Sequence, residues 1–247
     1  MAWSDLPGLA TILDLLCPPR CGFCGADVAE ERPGRGLSCE PCAAAFSRDV
    51  TRCGVCGEPA EGDGGCHRCR GRRRDWDGLA VLSSYGDDVR EQVLRAKRPA
   101  GEAVAAALAG LLVRKHRESF ADWRIDVVAP VPMHWRRRLA RGTSAADQLA
   151  AAVARGLGLP MRRLLRRRRA TPMQNELPFE DRRGNVRAAF RAPRRVAGLR
   201  VLLVDDVATT GATLAECRGT LVEAGAAAVY AAVIARADRG SGTDPFR

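Results

Sequence analysis

The sequence predicts an α/β fold: a parallel sheet flanked by helices, with a small cysteine-rich module in front of it. Three observations predict it. Apolar runs at 125–132, 200–207 and 229–236 alternate with helical patterns, the order of a parallel sheet covered on both faces. The first two runs, IDVVAPVP and RVLLVDDV, are almost continuously apolar over their strand-length cores, as strands buried on both faces are. Nine of the ten cysteines lie before residue 70, where large aliphatic side chains are scarce.

The elements follow in order. The first twenty residues, MAWSDLPGLATILDLLCPPR, have no basic residue ahead of a short apolar stretch and carry Asp5 and Asp14. That argues against a signal peptide and places the chain in the cytoplasm. Residues 1–16 are expected to form an N-terminal helical segment, with 8–16 amphipathic. Residues 17–72 are the cysteine module, closed by the basic stretch Arg70-Gly71-Arg72-Arg73-Arg74. Residues 75–238 are the sheet domain. In it LAVLSSY (79–85) reads as a strand, 87–97 and 101–117 as helices, and 125–132 as a strand ended by prolines. A helix over 143–157 stops at Gly158, since glycine adopts the left-handed conformation that terminates helices. The strand 200–207, a helix over 213–224 stopped by Gly225, and the strand 229–236 complete it. Residues 239–247 are polar and expected to be a flexible tail. No apolar run approaches the roughly 18–20 residues that span a bilayer, so membrane insertion is not expected.

Net charge is +11, and arginine supplies nearly all the positive charge, the only lysines being Lys97 and Lys115. A permanently charged planar guanidinium suits phosphate. Arg- and Ala-rich codon usage explains much of the excess equally well, so charge alone does not select nucleic acid over small polyphosphates.

The cysteines form four CxxC pairs: Cys21/Cys24, Cys39/Cys42, Cys53/Cys56 and Cys66/Cys69. In a cytoplasmic chain such clustering points to metal rather than disulfides. Glycine follows the second cysteine in CGFCG and CGVCG, allowing a tight turn that aims backbone amides at thiolate sulfur. Two pairs supply the four sulfurs of one tetrahedral zinc. Consecutive pairing gives two structural Zn2+ sites, 21/24/39/42 and 53/56/66/69, each closed to substrate; cross-braced pairing is the less economical alternative. Iron–sulfur and redox CxxC readings compete less well. Cys17 is read as a packing residue, His67 as solvent-facing, and Cys217 as a buried small apolar side chain. Zinc chelation is expected to unfold the first ~70 residues and spare the second domain, which has its own core.

The strand at 200–207 ends in Asp205-Asp206, and Val207-Ala208-Thr209-Thr210-Gly211-Ala212-Thr213 then opens a helix. Open α/β sheets bind ligands at the carboxyl ends of their strands. Two adjacent carboxylates can accept hydrogen bonds from the two hydroxyls of a ribose. The loop offers backbone N–H groups, threonine hydroxyls and a helix N-terminus to a phosphate, and Gly211 lets that phosphate approach. Together they predict a 5-phosphoribosyl group as ligand, most simply phosphoribosyl pyrophosphate or a related phosphorylated sugar. A Walker-B strand or a receiver-type acidic pocket can also end in Asp-Asp, but neither predicts the TTGAT loop, and no GxxxxGK[ST] occurs.

Residues 200–214 resemble the signature of type I phosphoribosyltransferases, and with the paired zinc knuckles the chain resembles the ComF family over about residues 12–236. RRGNVRAAF (182–190), APVPMHWRRRLARG (129–142) and TPMQ (171–174) carry the likeness further. The resemblance implies a double zinc ribbon joined to a phosphoribosyltransferase-like domain. It also implies a pyrophosphate-contacting loop after Val131 and Pro132, a mobile flap over 162–185, and a link to competence for DNA uptake. The chain departs from the family at Arg141-Gly142-Thr143-Ser144-Ala145, where an Arg-Gly-Phe-Asn-Gln run is usual. It departs again at Lys97-Arg98-Pro99-Ala100, where Lys-Phe-Arg-Gly is usual.

If the chain is catalytic, the ribose C1–O bond to pyrophosphate breaks, pyrophosphate leaves with the electron pair, and a nucleophile bonds to C1. Mg2+ would arrive with the substrate. Arg137, Arg138, Arg141, Arg182 and Arg183 are candidates to neutralise pyrophosphate, and Arg166 to Arg169 form a basic run on the expected flap. No general base stands out; His134 is a candidate by position alone. Three functions compete. They are a phosphoribosyltransferase of unnamed acceptor, a non-catalytic ligand sensor or DNA-uptake accessory that binds single-stranded DNA or a DNA-processing protein, and a zinc-ribbon nucleic-acid binder.

Overall fold

The computed structural model describes residues 18–28, 37–47, 50–60, 66–67, 69, 76–132, 144–167, 190–193 and 196–237. Among these residues the centre is a four-stranded, all-parallel sheet in the order β1-β6-β5-β2. The strands are β1 (Gly78–Ser84), β2 (Val127–Pro130), β5 (Arg200–Ala208) and β6 (Ala228–Arg236). Two short strands, β3 (Arg166–Arg167) and β4 (Phe190–Arg191), form a separate antiparallel pair. The helices are α1 (Glu40–Phe46) in the cysteine module, then α2 (Asp87–Ala96), α3 (Glu102–Lys115), α4 (Arg117–Asp122), α5 (Ala145–Leu157) and α6 (Ala212–Glu223).

The strand alternation sorts the core into two layers. Ala80, Leu82, Val128, Leu202, Val204, Tyr230, Ala232 and Ile234 face the layer that holds α2, α3 and α5. Val81, Val127, Ala129, Val201, Leu203, Val229, Ala231 and Val233 face the layer that holds α6 and Leu164, Leu165 and Val196. Every residue of β6 is buried, which explains why its sequence is apolar up to its last residue, Arg236. The helix boundaries also have local causes. Ser144 caps α5 by accepting from Asp147 N–H at 3.4 Å, and Gly158 ends it at φ +67°, as its left-handed preference predicts.

The expected helix over 101–117 is divided at His116, which ends α3 and precedes α4. The segment after α5 also differs from expectation. Arg162 N–H donates to Val128 O at 2.9 Å, and Leu164 and Leu165 are buried. Residues 162–165 therefore pack beside β2, and Arg166–Arg167 pair with Phe190–Arg191; the rest of the expected flap, 168–185, lies outside the described residues. The N-terminal segment 1–16, Cys17 and the tail 239–247 also lie outside them.

Among the described residues no helix is long and apolar enough to cross a membrane.

Candidate functional site

The eight knuckle cysteines converge on two points. In each of the sets Cys21/Cys24/Cys39/Cys42 and Cys53/Cys56/Cys66/Cys69, the sulfurs all lie within 4.8 Å of one another. The pairing is thus consecutive. Cys24 Sγ and Cys39 Sγ are 3.7 Å apart, and Cys56 Sγ and Cys66 Sγ 3.6 Å. A tetrahedral zinc with bonds of about 2.3 Å separates its sulfurs by about 3.8 Å, so the two sets fit structural Zn2+.

The two knuckles share one local design. Gly25 and Gly57 take φ of +76° and +75°, and their N–H groups return to Cys21 O and Cys53 O at 2.9 and 2.8 Å. Burial opposes ionisation of Cys21 and Cys53. Backbone N–H groups aimed at each sulfur outweigh it and hold both thiols near 6. Burial and the crowding of neighbouring sulfurs push the Cys42 and Cys56 thiols up; a divalent cation is the charge that lets all four ionise together.

The sites dock differently. The first sits on α3: Gly22 is so close that a Cβ there would come 2.5 Å from Ala103 O. Arg95 Nη1 donates to Phe23 O and Arg114 Nη2 to Ser38 Oγ, both at 2.7 Å. Cys21, Phe23 and Phe46 join the same core layer as α2 and α3. The first knuckle's apolar residues thus pack into the same core layer as the helices of the sheet domain. The second knuckle lies against β1 and β6. A Cβ on Gly57 would meet Val81 Cγ2 at 3.0 Å and Leu79 Cδ2 at 3.1 Å, and Arg52 bridges Gly57 O (2.9 Å) to Ser84 Oγ (3.1 Å).

The acidic loop stands at the carboxyl end of β5. Asp205 continues the Leu203 row, on the α6 side of the sheet, and Asp206 continues the Leu202/Val204 row. Each caps the next amide: Asp205 Oδ1 accepts from Asp206 N–H at 2.9 Å, and Asp206 Oδ1 from Val207 N–H at 2.8 Å. The two carboxyls are set apart electrically. Burial, reinforced by the charge of Asp206, pushes Asp205 well above the usual carboxylate range. Burial also opposes charge on Asp206, but the Lys97 ammonium outweighs it and holds Asp206 below that range. Lys97 Nζ is 2.8 Å from Asp206 Oδ2. Sequence reasoning assigned Lys97 no role; its rarity as one of two lysines in an arginine-rich chain was the available signal.

Gly211 takes φ +75° as the N-cap of α6, and a Cβ there would meet nothing within 4 Å. Thr210 Oγ1 accepts from Ala212 N–H at 3.2 Å, so this hydroxyl organises the loop. Beneath the loop lies Arg236, only 2% exposed at the end of β6. It donates to Ala208 O (2.8 Å), Thr209 O and Ala237 O (3.0 Å). On its other side it donates to Cys56 O at 2.7 Å and meets Glu58 Oε1 at 3.2 Å. This residue was also missed, having read only as the end of an apolar strand.

Of the other candidates, Val131 is buried, with its N–H on Val204 O at 2.9 Å, and Pro132 is partly exposed beside it. Both directly follow β2, the strand paired with β5. Arg137, Arg138, Arg141, His134, Arg182 and Arg183 lie outside the described residues, as do Arg168 and Arg169. Arg166 is exposed, and Arg167 lies over the Phe190 ring at 5.5 Å. Cys217 is fully buried on α6, and His67 is exposed.

Comparison with known proteins agrees with this geometry. Residues 100–247 match the phosphoribosyl transferase domain family, and residues 12–70 the double zinc ribbon domain family. The chain is 34% identical over 220 residues to the DNA utilization protein YhgH of Salmonella typhimurium, covering 87% of this chain and 96% of that one. It is 27% identical to Competence protein F of Haemophilus influenzae, covering 88% of this chain and 97% of that one. A solved structure described as the allosteric regulatory enzyme of purine biosynthesis aligns at 25% identity and a TM-score of 0.40, over 57% of this chain and 30% of that one.

Proposed function

Since the chain belongs to the ComF family, a double zinc ribbon followed by a phosphoribosyltransferase domain, we propose that it binds phosphoribosyl pyrophosphate with Mg2+ at residues 205–213. The observation that carries this reading is the loop itself. An acidic pair lies near the carboxyl end of a central parallel strand, and a left-handed Gly211 under open space starts a twelve-residue helix. The helix N-terminus and loop amides suit the 5-phosphate. Asp206, held ionised by Lys97, suits a ribose hydroxyl as a charge-assisted acceptor. Pyrophosphate would lie toward Val131 and Pro132, with Arg137, Arg138, Arg141, Arg182 and Arg183 as its neutralising groups. Transfer to an acceptor breaks the C1–O bond and releases pyrophosphate.

Calorimetric titration of the zinc-loaded chain with magnesium phosphoribosyl pyrophosphate tests the binding, and a pyrophosphate-release assay tests turnover. Saturable one-site binding is expected. A folded chain that takes up no ligand overturns the reading.

A second reading is favoured by the names of the relatives, DNA utilization protein and Competence protein F. In it the ligand site serves a DNA-handling accessory rather than an enzyme, and single-stranded DNA or a DNA-processing protein is the partner. Turnover distinguishes the two. In either case we place the ribbon at 17–72, the transferase-like domain at 75–238, and the chain in the cytoplasm, where thiols stay reduced.

A further inference from the structure

Arg236 touches both the second cysteine knuckle and the phosphate loop. Its guanidinium is buried at the end of a strand whose every residue is buried. A buried guanidinium keeps its charge, so its donors need fixed acceptors. Two come from the knuckle: Cys56 O at 2.7 Å and Glu58 Oε1 at 3.2 Å. Ala208 O and Thr209 O come from the loop and Ala237 O from its own strand end. Cys56 is itself a member of the sulfur cluster, and Glu58 O accepts from Cys53 N–H at 2.8 Å. Where Cys56 O and Glu58 stand is therefore set by the fold of the knuckle around its metal. The first cluster's polar links, Arg95 and Arg114, lead instead to α2 and α3.

We propose that zinc at Cys53/Cys56/Cys66/Cys69 organises the phosphoribosyl loop through Arg236, making Arg236 and Glu58 positioning residues for residues 208–213. Without the metal the knuckle relaxes, Arg236 loses two acceptors, and its remaining donors pull on the loop carbonyls from an unfixed position. The second zinc is thus a part of ligand recognition, and its occupancy sets affinity. The effect on affinity rests on the phosphoribosyl reading of the loop; the coupling to loop order does not.

The test uses the full chain and two readouts. Cys66→Ser removes the second zinc, and Glu58→Gln leaves all eight sulfurs in place while weakening the hold on Arg236. Zinc content and circular dichroism establish that each variant is folded. Amide hydrogen exchange is then read at 209–213 and, for comparison, at 201–204 in the same strand. Exchange in the loop should rise roughly tenfold in both variants while 201–204 stays protected, the pattern of a local opening. Affinity for magnesium phosphoribosyl pyrophosphate should fall by a similar factor, about tenfold. In a chain carrying both substitutions the two losses should be less than multiplicative, since they act through one guanidinium. Unchanged loop exchange in folded Glu58→Gln and one-zinc Cys66→Ser overturns the proposal, as does equal loosening of 201–204. A parent chain that binds no ligand but shows the loop-specific exchange sinks the ligand assignment alone.

Discussion

Lys97 Nζ lies 2.8 Å from Asp206 Oδ2, joining the turn after α2 to the carboxyl end of β5. The strand alternation explains the choice of partner, because Asp206 continues the row that faces α2 and α3 while Asp205 continues the other. One consequence is that Asp206 is a hydrogen-bond acceptor whose charge is already fixed by its partner.

Lys97→Met should destabilise the fold by about 1–2 kcal/mol near neutral pH, as loss of a partly buried ion pair does. The sign with pH follows from both partners. Asp206 is lowered from 3.8, so its contribution is present above that value and lost as pH falls through its folded pKa. Lys97 is raised from 10.5, so its contribution is present below that value and lost as pH rises through its folded pKa. The difference between parent and variant should be flat across the middle and shrink at both ends. Denaturant melts over a pH series measure it, and a pH-independent difference would refute the assignment.

Asp205→Asn should act in the opposite direction. Asp205 is raised by burial and by its neighbour's charge, so it costs stability as pH rises through its folded pKa. Removing the charge should raise the thermal midpoint near neutral pH, by a gain of roughly 1–2 kcal/mol that fades in acid. A destabilised Asp205→Asn chain above the carboxylate range would contradict this.

Ligand affinity should fall most for Gly211→Val, next for Asp206→Asn and least for Thr210→Ala. At Gly211 the obstacle is the backbone: φ is +75°, which a β-branched residue resists by more than about 1 kcal/mol. Asp206→Asn turns a charge-assisted acceptor into a neutral one, at roughly 1–3 kcal/mol. Thr210→Ala removes one local acceptor for Ala212 N–H and leaves the loop amides. Calorimetry on folded variants reads the order, and three affinities equal to the parent's would place the ligand elsewhere.

Purified chain should carry about two zinc ions, one per cluster of four sulfurs. Chelation should now reach beyond the ribbon, because Phe23 and Phe46 complete the core layer of α2 and α3. Loss of helix signal from the second domain is expected along with the zinc. A chelated chain whose transferase-like domain melts like the parent's would restore the picture of a separable ribbon.

Binding to single-stranded DNA should be electrostatic, with steep loss as salt rises and little sequence preference, since aromatic residues are 5% of the chain and stacking platforms are few. Filter binding across a salt series checks it; salt-insensitive binding, or none at low salt, counts against a direct DNA role.

The parts of the fold that were legible are those whose signal is local. The continuous apolar runs gave β2 and β5, glycine gave the C-terminal end of α5 and the knuckle turns, and the cysteine spacing gave the eight ligands, with consecutive pairing as the more economical of two arrangements. The acidic loop was legible because strand, carboxylates, glycine and helix are contiguous from 200 to 213. Lys97 and Arg236 were not. Their partners lie far along the chain, and Arg236 meets Cys56 across 180 positions. Nothing local tells an arginine that ends a strand in solvent from one buried among carbonyls. Composition changes sharply near residue 70, yet Phe23 and Phe46 pack across that boundary.

The strand order β1-β6-β5-β2 carries a consequence for biosynthesis. β6 follows the other three strands in the chain but lies between β1 and β5, so β1 leaves the ribosome more than a hundred residues before its sheet partner exists. Such long-range pairing is slow and leaves an apolar strand unpaired meanwhile. The second knuckle can bind its metal early, but the seat it rests on closes only when β6 slides into the gap. A nascent chain halted short of residue 228 should therefore hold metal while remaining open to proteases along β1, and become resistant only once residue 236 has emerged.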